Sequence, residues 1–186
     1  MKSVIIFASG AGSNAENIIL ECNKSEVARV TAVFSNNPNA GVIEKAKKYK
    51  VPVLVVSKEA ISEETILSQL AFFQPDLIVL AGFLLKFPKH IIDAYPNKVI
   101  NIHPALLPNY GGKGMYGMNV HRAVVENKEK ETGITIHYVN EHYDEGNIIF
   151  QEKVTLQEND TPETVAGKIH DLEQKFFPEV IMKLIQ

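Results

Sequence analysis

Short, fully apolar segments alternate with segments of helical periodicity through the first half of the chain, and this alternation constrains the fold most. Apolar runs rich in β-branched residues are typical of strands that are buried on both faces of a parallel sheet. Four such runs lie at residues 4–8, 30–34, 51–56 and 77–81. A helical segment follows each run, and right-handed crossovers would place these helices on both sides of the sheet. The pattern predicts an α/β, Rossmann-like, doubly wound fold with a mostly parallel sheet.

The C-terminal part of the chain has a different pattern. Residues 133–139 and 148–154 read as strands, and a polar loop connects them. We therefore predict an antiparallel addition to the edge of the sheet. Thr161 and Pro162 then begin a helix whose apolar residues keep helical spacing, which predicts a last helix packed on the sheet. Because the 186 residues contain no linker, we predict a single domain over residues 1–186.

The composition excludes several classes of function. The net charge of -3 and the charged fraction of 22% carry no signal for nucleic acid or for an anionic membrane. No segment approaches the roughly 18 apolar residues of a membrane helix. Cys22 is the only cysteine, so an intrachain disulfide and a zinc site built from cysteines are excluded. We expect a cytoplasmic protein, monomeric or homodimeric, with small-molecule partners, no metal, no nucleic acid and no membrane.

A glycine-containing turn follows the first strand, at residues 9–14. Small residues between a strand and a helix let backbone N–H groups approach a phosphate, so Gly12, Ser13 and Asn14 are candidate ligands of a small anion. The spacing Gly10-x-Gly12-x-x-Ala15 also matches a dinucleotide fingerprint, but the second strand does not end in the acidic residue that such a site needs. A monophosphate site is favoured, and a dinucleotide site or a purely structural turn remain as alternatives.

An amide and an imidazole lie two residues apart at the end of the fifth predicted strand. Asn101 and His103 would share one face of that strand, because side chains alternate along it. Asn is a neutral donor for a developing oxyanion, and His exchanges a proton near neutral pH. Asp144 lies in the polar loop between the two antiparallel strands. If it folds back against His103, we expect it to raise the pKa of that imidazole and to hold the ring in place.

Other segments have two interpretations each. The apolar loop Phe83, Leu84, Leu85 follows the fourth strand and either lines a slot for a flat ring or closes the core. Glu173 lies close to the apolar face of the last helix, within one turn of His170, and needs either a salt bridge or a cationic or hydroxyl-rich ligand. Residues 109–118 contain four glycines and predict a mobile or ligand-shaped loop. His121, which follows this loop, is interpreted as a helix-start or packing residue.

Five motifs in this order resemble the folate-dependent glycinamide ribonucleotide formyltransferases over essentially the whole chain. They are the segments Ser9 to Asn14, Val33 to Asn36, Leu80 to Phe83, Asn101 to Pro108, and Asp144-x-Gly146. The resemblance implies transfer of a formyl group from 10-formyltetrahydrofolate, as a co-substrate, to the amine of glycinamide ribonucleotide in purine synthesis. It also implies a ribonucleotide phosphate site in the N-terminal half and a folate and catalytic site in the C-terminal half.

The resemblance implies a role for each site residue. Asn101 would hold the formyl oxygen, and Asp144 would assist His103, which we expect to act as a protonated donor. The ribonucleotide would contact Gly12, Ser13, Asn14, His170 and Glu173. The folate would contact Lys58, Phe83, Leu84, Leu85, Asn101, Asn140, Glu141 and Asp144.

Two segments depart from the family pattern. Leu85 replaces an arginine that family members commonly carry in the folate loop. The glycine-rich segment through Met118 is longer than the usual connection, and we hypothesise that it forms a lid over the ribonucleotide.

Three other functions remain as alternatives. Methionyl-tRNA formyltransferases and formyltetrahydrofolate hydrolases share this chemistry but are expected to carry a further domain. A non-catalytic nucleotide-binding module would leave the set of Asn101, His103 and Asp144 without a purpose.

Overall fold

The computed structural model describes all 186 residues, which form a single seven-stranded sheet covered by helices. The strands are β1 (Lys2–Phe7), β2 (Ala28–Ser35), β3 (Val53–Val55), β4 (Leu77–Leu80), β5 (Val99–His103), β6 (Glu131–Tyr138) and β7 (Ile148–Thr155). Their order across the sheet is β3-β2-β1-β4-β5-β6-β7. The first five strands pair in parallel, whereas β6 and β7 are antiparallel additions at one edge. The predicted fold class is therefore confirmed.

Seven helices cover the two faces of the sheet. They are α1 (Ser13–Lys24), α2 (Gly41–Lys48), α3 (Lys58–Ser62), α4 (Thr65–Phe73), α5 (Lys89–Ala94), α6 (Met118–Glu126) and α7 (Pro162–Leu184). One core cluster joins a face of the sheet to α1, α2 and α7, and a second joins the opposite face to α3, α4 and α5. β1 contributes alternate residues to the two clusters, Val4 and Ile6 to one and Ile5 and Phe7 to the other. This is why the strand is apolar throughout.

The strand order places the loops that carry the candidate residues next to one another. The chain proceeds from β1 to β2 and β3 on one side, and then returns to form β4 and β5 on the other side of β1. In open α/β sheets such a switch point leaves a crevice at the carboxyl ends of the central strands, where ligands bind. The loops after β1, β4 and β5 all leave the sheet at this edge.

Three local features differ from the sequence interpretation. The short helix α3 was not predicted; Ser57 caps it by accepting a hydrogen bond from the N–H of Ala60. The next helix begins at Thr65 without a side-chain cap, although Ser62, of a residue type that favours the N-cap position, lies just before it. α6 begins at Met118, earlier than expected, because Gly117 takes a non-helical conformation with φ 53° and ends the glycine-rich segment.

The Leu107–Pro108 peptide bond is cis. None of the helices combines the length and apolar character needed to cross a membrane.

Candidate active site

A cavity of about 700 Å³ opens at the carboxyl ends of β1, β4 and β5. Its volume is in the range of small-molecule sites. All the predicted site residues except Lys58 line it: Gly12, Ser13, Asn14, Phe83, Leu84, Leu85, Asn101, His103, Asn140, Glu141, Asp144, His170 and Glu173. Lys58 instead lines an adjoining cleft of about 550 Å³, which shares Leu84, Leu85 and Glu141 with the cavity. The fold therefore brings together segments that lie far apart in the sequence.

Asp144 folds back onto His103, as expected. Its Oδ2 lies 3.5 Å from Nδ1 of His103 and accepts a hydrogen bond of 3.0 Å from the N–H of Gly112. Asp144 has φ 55°, a left-handed conformation that Asp tolerates better than most residues. Its side chain is only 11% exposed. The carboxylate is thus held between β5 and the glycine-rich segment.

Asp144 favours the protonated form of His103, as expected, but the net shift of the His103 pKa is downward. The imidazole is buried, and loss of solvent outweighs the opposing attraction of Asp144 and of the Tyr110 carbonyl, so the pKa of His103 lies below its ordinary value. Nε2 lies 2.7 Å from the Tyr110 carbonyl, which can only accept, so Nε2 carries the proton. In the neutral ring Nδ1 is then the basic atom, and it faces Asp144. The sequence shows that Asp144 is available to interact with His103, but it does not show how deeply the fold buries the His103 imidazole.

The carboxyl of Asp144 shows the opposite balance. Burial favours its protonated form, but contact with His137, the charge of His103 and the Gly112 N–H hold the pKa of Asp144 below its usual value. Oδ1 of Asp144 lies 3.6 Å from Nε2 of His137. Asp144 is therefore ionised at neutral pH, which suits a group that attracts a proton to its neighbour.

His137 is a member of this network that sequence reasoning missed. In the antiparallel register it lies directly opposite Asn101, whose Nδ2 is 3.2 Å from Nε2 of His137. Nδ1 of His137 donates to the Tyr138 carbonyl at 2.9 Å, so Nε2 can accept a hydrogen bond from the Asn101 amide in the neutral ring. The signal was present in the polar residues Thr135 and His137, which alternate with isoleucines along β6. The sequence of β6 alone does not show which strand pairs with it, and so does not show that His137 lies opposite Asn101.

The start of α1 and the middle of α7 meet at another end of the cavity. Asn14 Nδ2 donates to Oε2 of Glu173 at 2.9 Å, and its Oδ1 accepts from Nε2 of Gln174 at 2.7 Å. Burial raises the pKa of Glu173, although Asn14 and the nearby His170 favour the charged form. Glu173 therefore has an amide partner rather than the full salt bridge that was one of its two interpretations.

Gly12 is required at the N-terminus of α1 for two reasons. Its φ is 74°, and a Cβ atom there would lie 2.6 Å from the backbone of Val42 in α2. No side chain caps α1 at Gly12, so the first N–H groups of this helix remain available to an anion beside Ser13. This geometry fits the predicted phosphate site and gives α1 and α2 a close approach.

The apolar loop after β4 both packs on the core and borders the cavity. Phe83 packs edge-on against Phe7, with ring centroids 5.3 Å apart, and also lines the cavity. The N–H of Leu84 donates to Oγ of Ser9 at 2.9 Å, which ties this loop to the turn after β1. The Leu84 side chain is 57% exposed. The loop thus closes the core on one side and presents an apolar wall on the other.

The glycine-rich segment forms turns between β5 and α6 and borders the cavity from Gly112 to Gly117. Gly112, Gly114 and Gly117 have positive φ values, as does Tyr110 at 56°. The Tyr110 hydroxyl donates to Oε1 of Glu129 at 2.6 Å, which anchors the start of the segment. It is therefore an irregular segment that borders the cavity rather than a helix or a strand. No group of three or more His, Cys, Asp or Glu side chains is arranged to hold a metal ion.

The cavity lies at the switch point of a Rossmann-like sheet and is lined by Asn101, His103 and Asp144. This combination of fold and site is that of a formyltransferase. Residues 2–181 match the family described as "Formyl transferase", and the chain belongs to that family. Phosphoribosylglycinamide formyltransferase of Bacillus subtilis (strain 168) is 37% identical over 191 residues, which cover 100% of this chain and 95% of the relative.

Other relatives agree with this match. The chloroplastic phosphoribosylglycinamide formyltransferase of Arabidopsis thaliana is 38% identical over 97% of this chain. The chain spans 64% of that relative, less than two thirds of its length. The crystal structure of phosphoribosylglycinamide formyltransferase from Bacillus Halodurans superimposes with a TM-score of 0.90 at 37% identity, covering 100% of this chain and 96% of that one.

Proposed function

We propose that this protein transfers the formyl group of 10-formyltetrahydrofolate to the amine of glycinamide ribonucleotide in purine biosynthesis. The observation that carries the proposal is the meeting of Asn101, His103 and Asp144 in one cavity, between an anion-accepting helix start and an apolar loop. A proton acceptor and a neutral oxyanion donor at one point suit acyl transfer to an amine. The names of the relatives identify the acyl group and the acceptor.

Asn101 is the proposed donor to the oxyanion. As the amine attacks the formyl carbon, negative charge develops on the formyl oxygen, and donors placed at that point lower the barrier. His137 accepts from the Asn101 amide group, which still has a second N–H to offer. Because the amide is neutral, it can be desolvated at less cost than a cation. Removing one such donor typically lowers the rate about a hundred- to a thousand-fold.

His103 and Asp144 move the proton in this mechanism. The attacking amine becomes positively charged when its bond to the formyl carbon forms, and it then loses a proton. A neutral His103 can accept it at Nδ1, and both Asp144 and the negative intermediate increase the proton affinity of the ring. The proton then passes to the departing folate nitrogen, directly or through water. The carbon–nitrogen bond to the folate breaks, and both side chains return to their initial protonation states.

The two substrates are assigned to different walls of the cavity. The ribonucleotide phosphate would lie at Gly12, Ser13 and Asn14, with the sugar near Glu173 and His170, whose carboxylate and imidazole suit hydroxyl groups. The folate ring would lie against the loop at 83–85 and the segment 139–144. The adjoining cleft, which Lys58 and Lys86 border, would receive the carboxylates of the folate tail. These cationic side chains fit the tail even though Leu85 supplies no charge.

The glycine-rich segment would cover the ribonucleotide as a lid. It borders the cavity and is anchored by the Tyr110 hydroxyl at its start. Shortening residues 112–116 would then weaken ribonucleotide affinity, as measured by calorimetric titration. Unchanged affinity would contradict the lid.

The decisive experiment mixes the purified protein with glycinamide ribonucleotide and 10-formyltetrahydrofolate and follows loss of the formyl group by absorbance. We expect turnover that requires both substrates and yields the formylated ribonucleotide. Formate release in the absence of the ribonucleotide would instead indicate a hydrolase. Tight binding of both ligands without turnover would indicate a binding module.

A further inference from the structure

Two histidines outside the catalytic network contain a buried ring nitrogen that has no hydrogen-bond partner. They are His121, at Nδ1, and His90, at Nε2. Of the two, only His121 borders the cavity, and this residue is 6% exposed. Buried polar atoms in folded proteins are nearly always paired, so an unpaired one beside a cavity calls for an explanation. His90 also has an unpaired buried nitrogen but does not border the cavity, so it serves as a matched control.

His121 borders the cavity from a helix that packs on the helix carrying two of the proposed ribonucleotide contacts. It lies in the first half of α6, beside Val120 and Val124, which pack into a small apolar cluster with Ala105. α6 packs against α7, the helix that carries His170 and Glu173. His121 therefore lines the same cavity as the proposed sugar contacts, and its Nε2, which is neither sealed nor paired within the protein, is the ring atom that can face the cavity.

The tautomer of His121 determines which ring nitrogen can donate a hydrogen bond to a ligand. A buried N–H without an acceptor is rarer in proteins than an unpaired acceptor, so the sealed Nδ1 is assigned the bare lone pair and Nε2 the hydrogen. Burial, reinforced by the nearby charge of His103, also lowers the pKa of His121 and keeps the ring neutral. A neutral imidazole with one N–H can donate a single hydrogen bond without adding charge to the site.

We propose that His121 binds the ribonucleotide, with its Nε2–H donating a hydrogen bond to an oxygen of that substrate between α6 and α7. This inference rests on the proposed function, because it names a contact of the same substrate. It assigns His121 to substrate binding rather than to helix packing, its interpretation from the sequence. The contact is expected to act on ribonucleotide affinity and not on the proton transfer at His103.

The experiment compares His121→Leu with His121→Gln. Leucine fills the space without a donor, whereas glutamine places an amide N–H near the position of Nε2. The dissociation constant for glycinamide ribonucleotide is measured by calorimetric titration without folate, and KM and kcat are measured by the formyl-transfer assay. We expect His121→Leu to weaken ribonucleotide binding about tenfold, as for a hydrogen bond lost between desolvated groups. The glutamine variant should recover most of that loss, with kcat and the KM for folate within about twofold of wild type.

His90→Leu is the control, since it removes the other unpaired histidine without touching the cavity, and it should leave ribonucleotide affinity unchanged. Thermal melting of each variant checks that the fold persists. Equal ribonucleotide affinity in His121→Leu and wild type would overturn the inference while leaving the proposed function intact. Failure of the wild-type protein to bind the ribonucleotide would overturn both.

Discussion

The two partly buried carboxylates that line different parts of the cavity, Asp144 and Glu173, have opposite electrostatic environments. Asp144 has two imidazoles and a backbone N–H around it, and its pKa lies below the usual value. Glu173 has the amide of Asn14 and the less direct influence of His170, and its pKa lies above the usual value. Both lose water on folding, so the difference comes from the groups that replace the water: two imidazoles that can become positively charged and a backbone N–H at Asp144, but mainly a neutral amide at Glu173. Asp144 is therefore stabilised as a carboxylate by the protein itself, whereas the charge of Glu173 is not.

This comparison also orders the expected cost of removing each charge. At Asp144 the protein has arranged its own groups around an ionised carboxylate, so neutralising it disturbs the two histidines as well. At Glu173 the charge is unfavourable in the free protein and becomes useful only when hydroxyl donors arrive. Substitution should therefore impair catalysis at the first site and substrate binding at the second.

The largest effect is expected for Asp144→Asn. The amide keeps the size of the side chain and can still accept from the Gly112 N–H, but it no longer attracts a proton to His103. We expect kcat to fall about a thousand-fold, in the range of general acid–base catalysis, while both KM values change by less than about threefold. Steady-state kinetics with each substrate varied in turn measures both quantities.

Glu145→Gln provides the matched control for this substitution. Glu145 is the next residue along the same loop, is exposed, and does not border the cavity. Like Asp144→Asn, Glu145→Gln deletes one negative charge from the loop, but it leaves the contact between Asp144 and His103 in place. Comparing the two variants therefore separates the effect of loop charge from the effect of that contact. If the two variants had similar kcat values, Asp144 would have no special part in the reaction.

A smaller effect, on binding, is expected for Glu173→Gln. Glutamine can still accept from Asn14, and it removes a charge that burial makes unfavourable at neutral pH. The KM for the ribonucleotide should rise about tenfold, as for hydrogen bonds to a charged group, with kcat nearly unchanged. The melting temperature should be equal to or higher than that of wild type. This combination of weaker binding and retained stability is the opposite of a general folding defect.

Glu179→Gln, on an exposed position of the same helix, controls for the change in net charge. It should alter neither the KM for the ribonucleotide nor the melting temperature. An unchanged KM in Glu173→Gln would remove this carboxylate from the binding site. A large loss of melting temperature would show that its role in the free protein is structural.

The sequence was sufficient for the sheet, because strands buried on both faces must be apolar throughout and the helices between them keep their spacing. It also predicted that Asn101 and His103 share one face of a strand, and both residues border the cavity. The contact of Asn14 with Glu173 joins residues 159 positions apart, and only the packing of α1 on α7 brings them together. No local pattern contains that information.

The electrostatics of the site were less accessible to sequence reasoning. An Asp near a His correctly suggested an attraction, but the sign of the pKa shift of His103 depends on how much water the fold removes from the ring. His137 was missed because its importance comes from the register of β6 against β5, which places it opposite Asn101. Lys58 was expected to contact the folate, and its place in an adjoining cleft rather than in the cavity depends on helix α3, which was not predicted.

The smallest effect, on the pH dependence of stability, tests both ends of the cavity in one measurement. His103 has a pKa in the folded protein below its unfolded value of about 6.5, so the unfolded chain takes up the proton first as the pH falls below that value. This costs stability on acidification. Glu173 has a folded pKa above its unfolded value of about 4.5, so the folded protein takes up its proton first, and acidification through that folded pKa adds stability.

The two substitutions should therefore change the slope of stability against pH in opposite directions. Between pH 7 and 5, His103→Asn should lose less stability than wild type, and Glu173→Gln should lose more. Each group contributes at most about 1.4 kcal/mol per pH unit, which corresponds to roughly 3–6 °C in melting temperature for a chain of this length. The comparison uses urea unfolding at closely spaced pH values, and it depends on slopes, so a uniform loss of stability in either variant does not affect it. Slopes that shift in the same direction would show that the two ends of the cavity do not differ in the way their pKa shifts indicate.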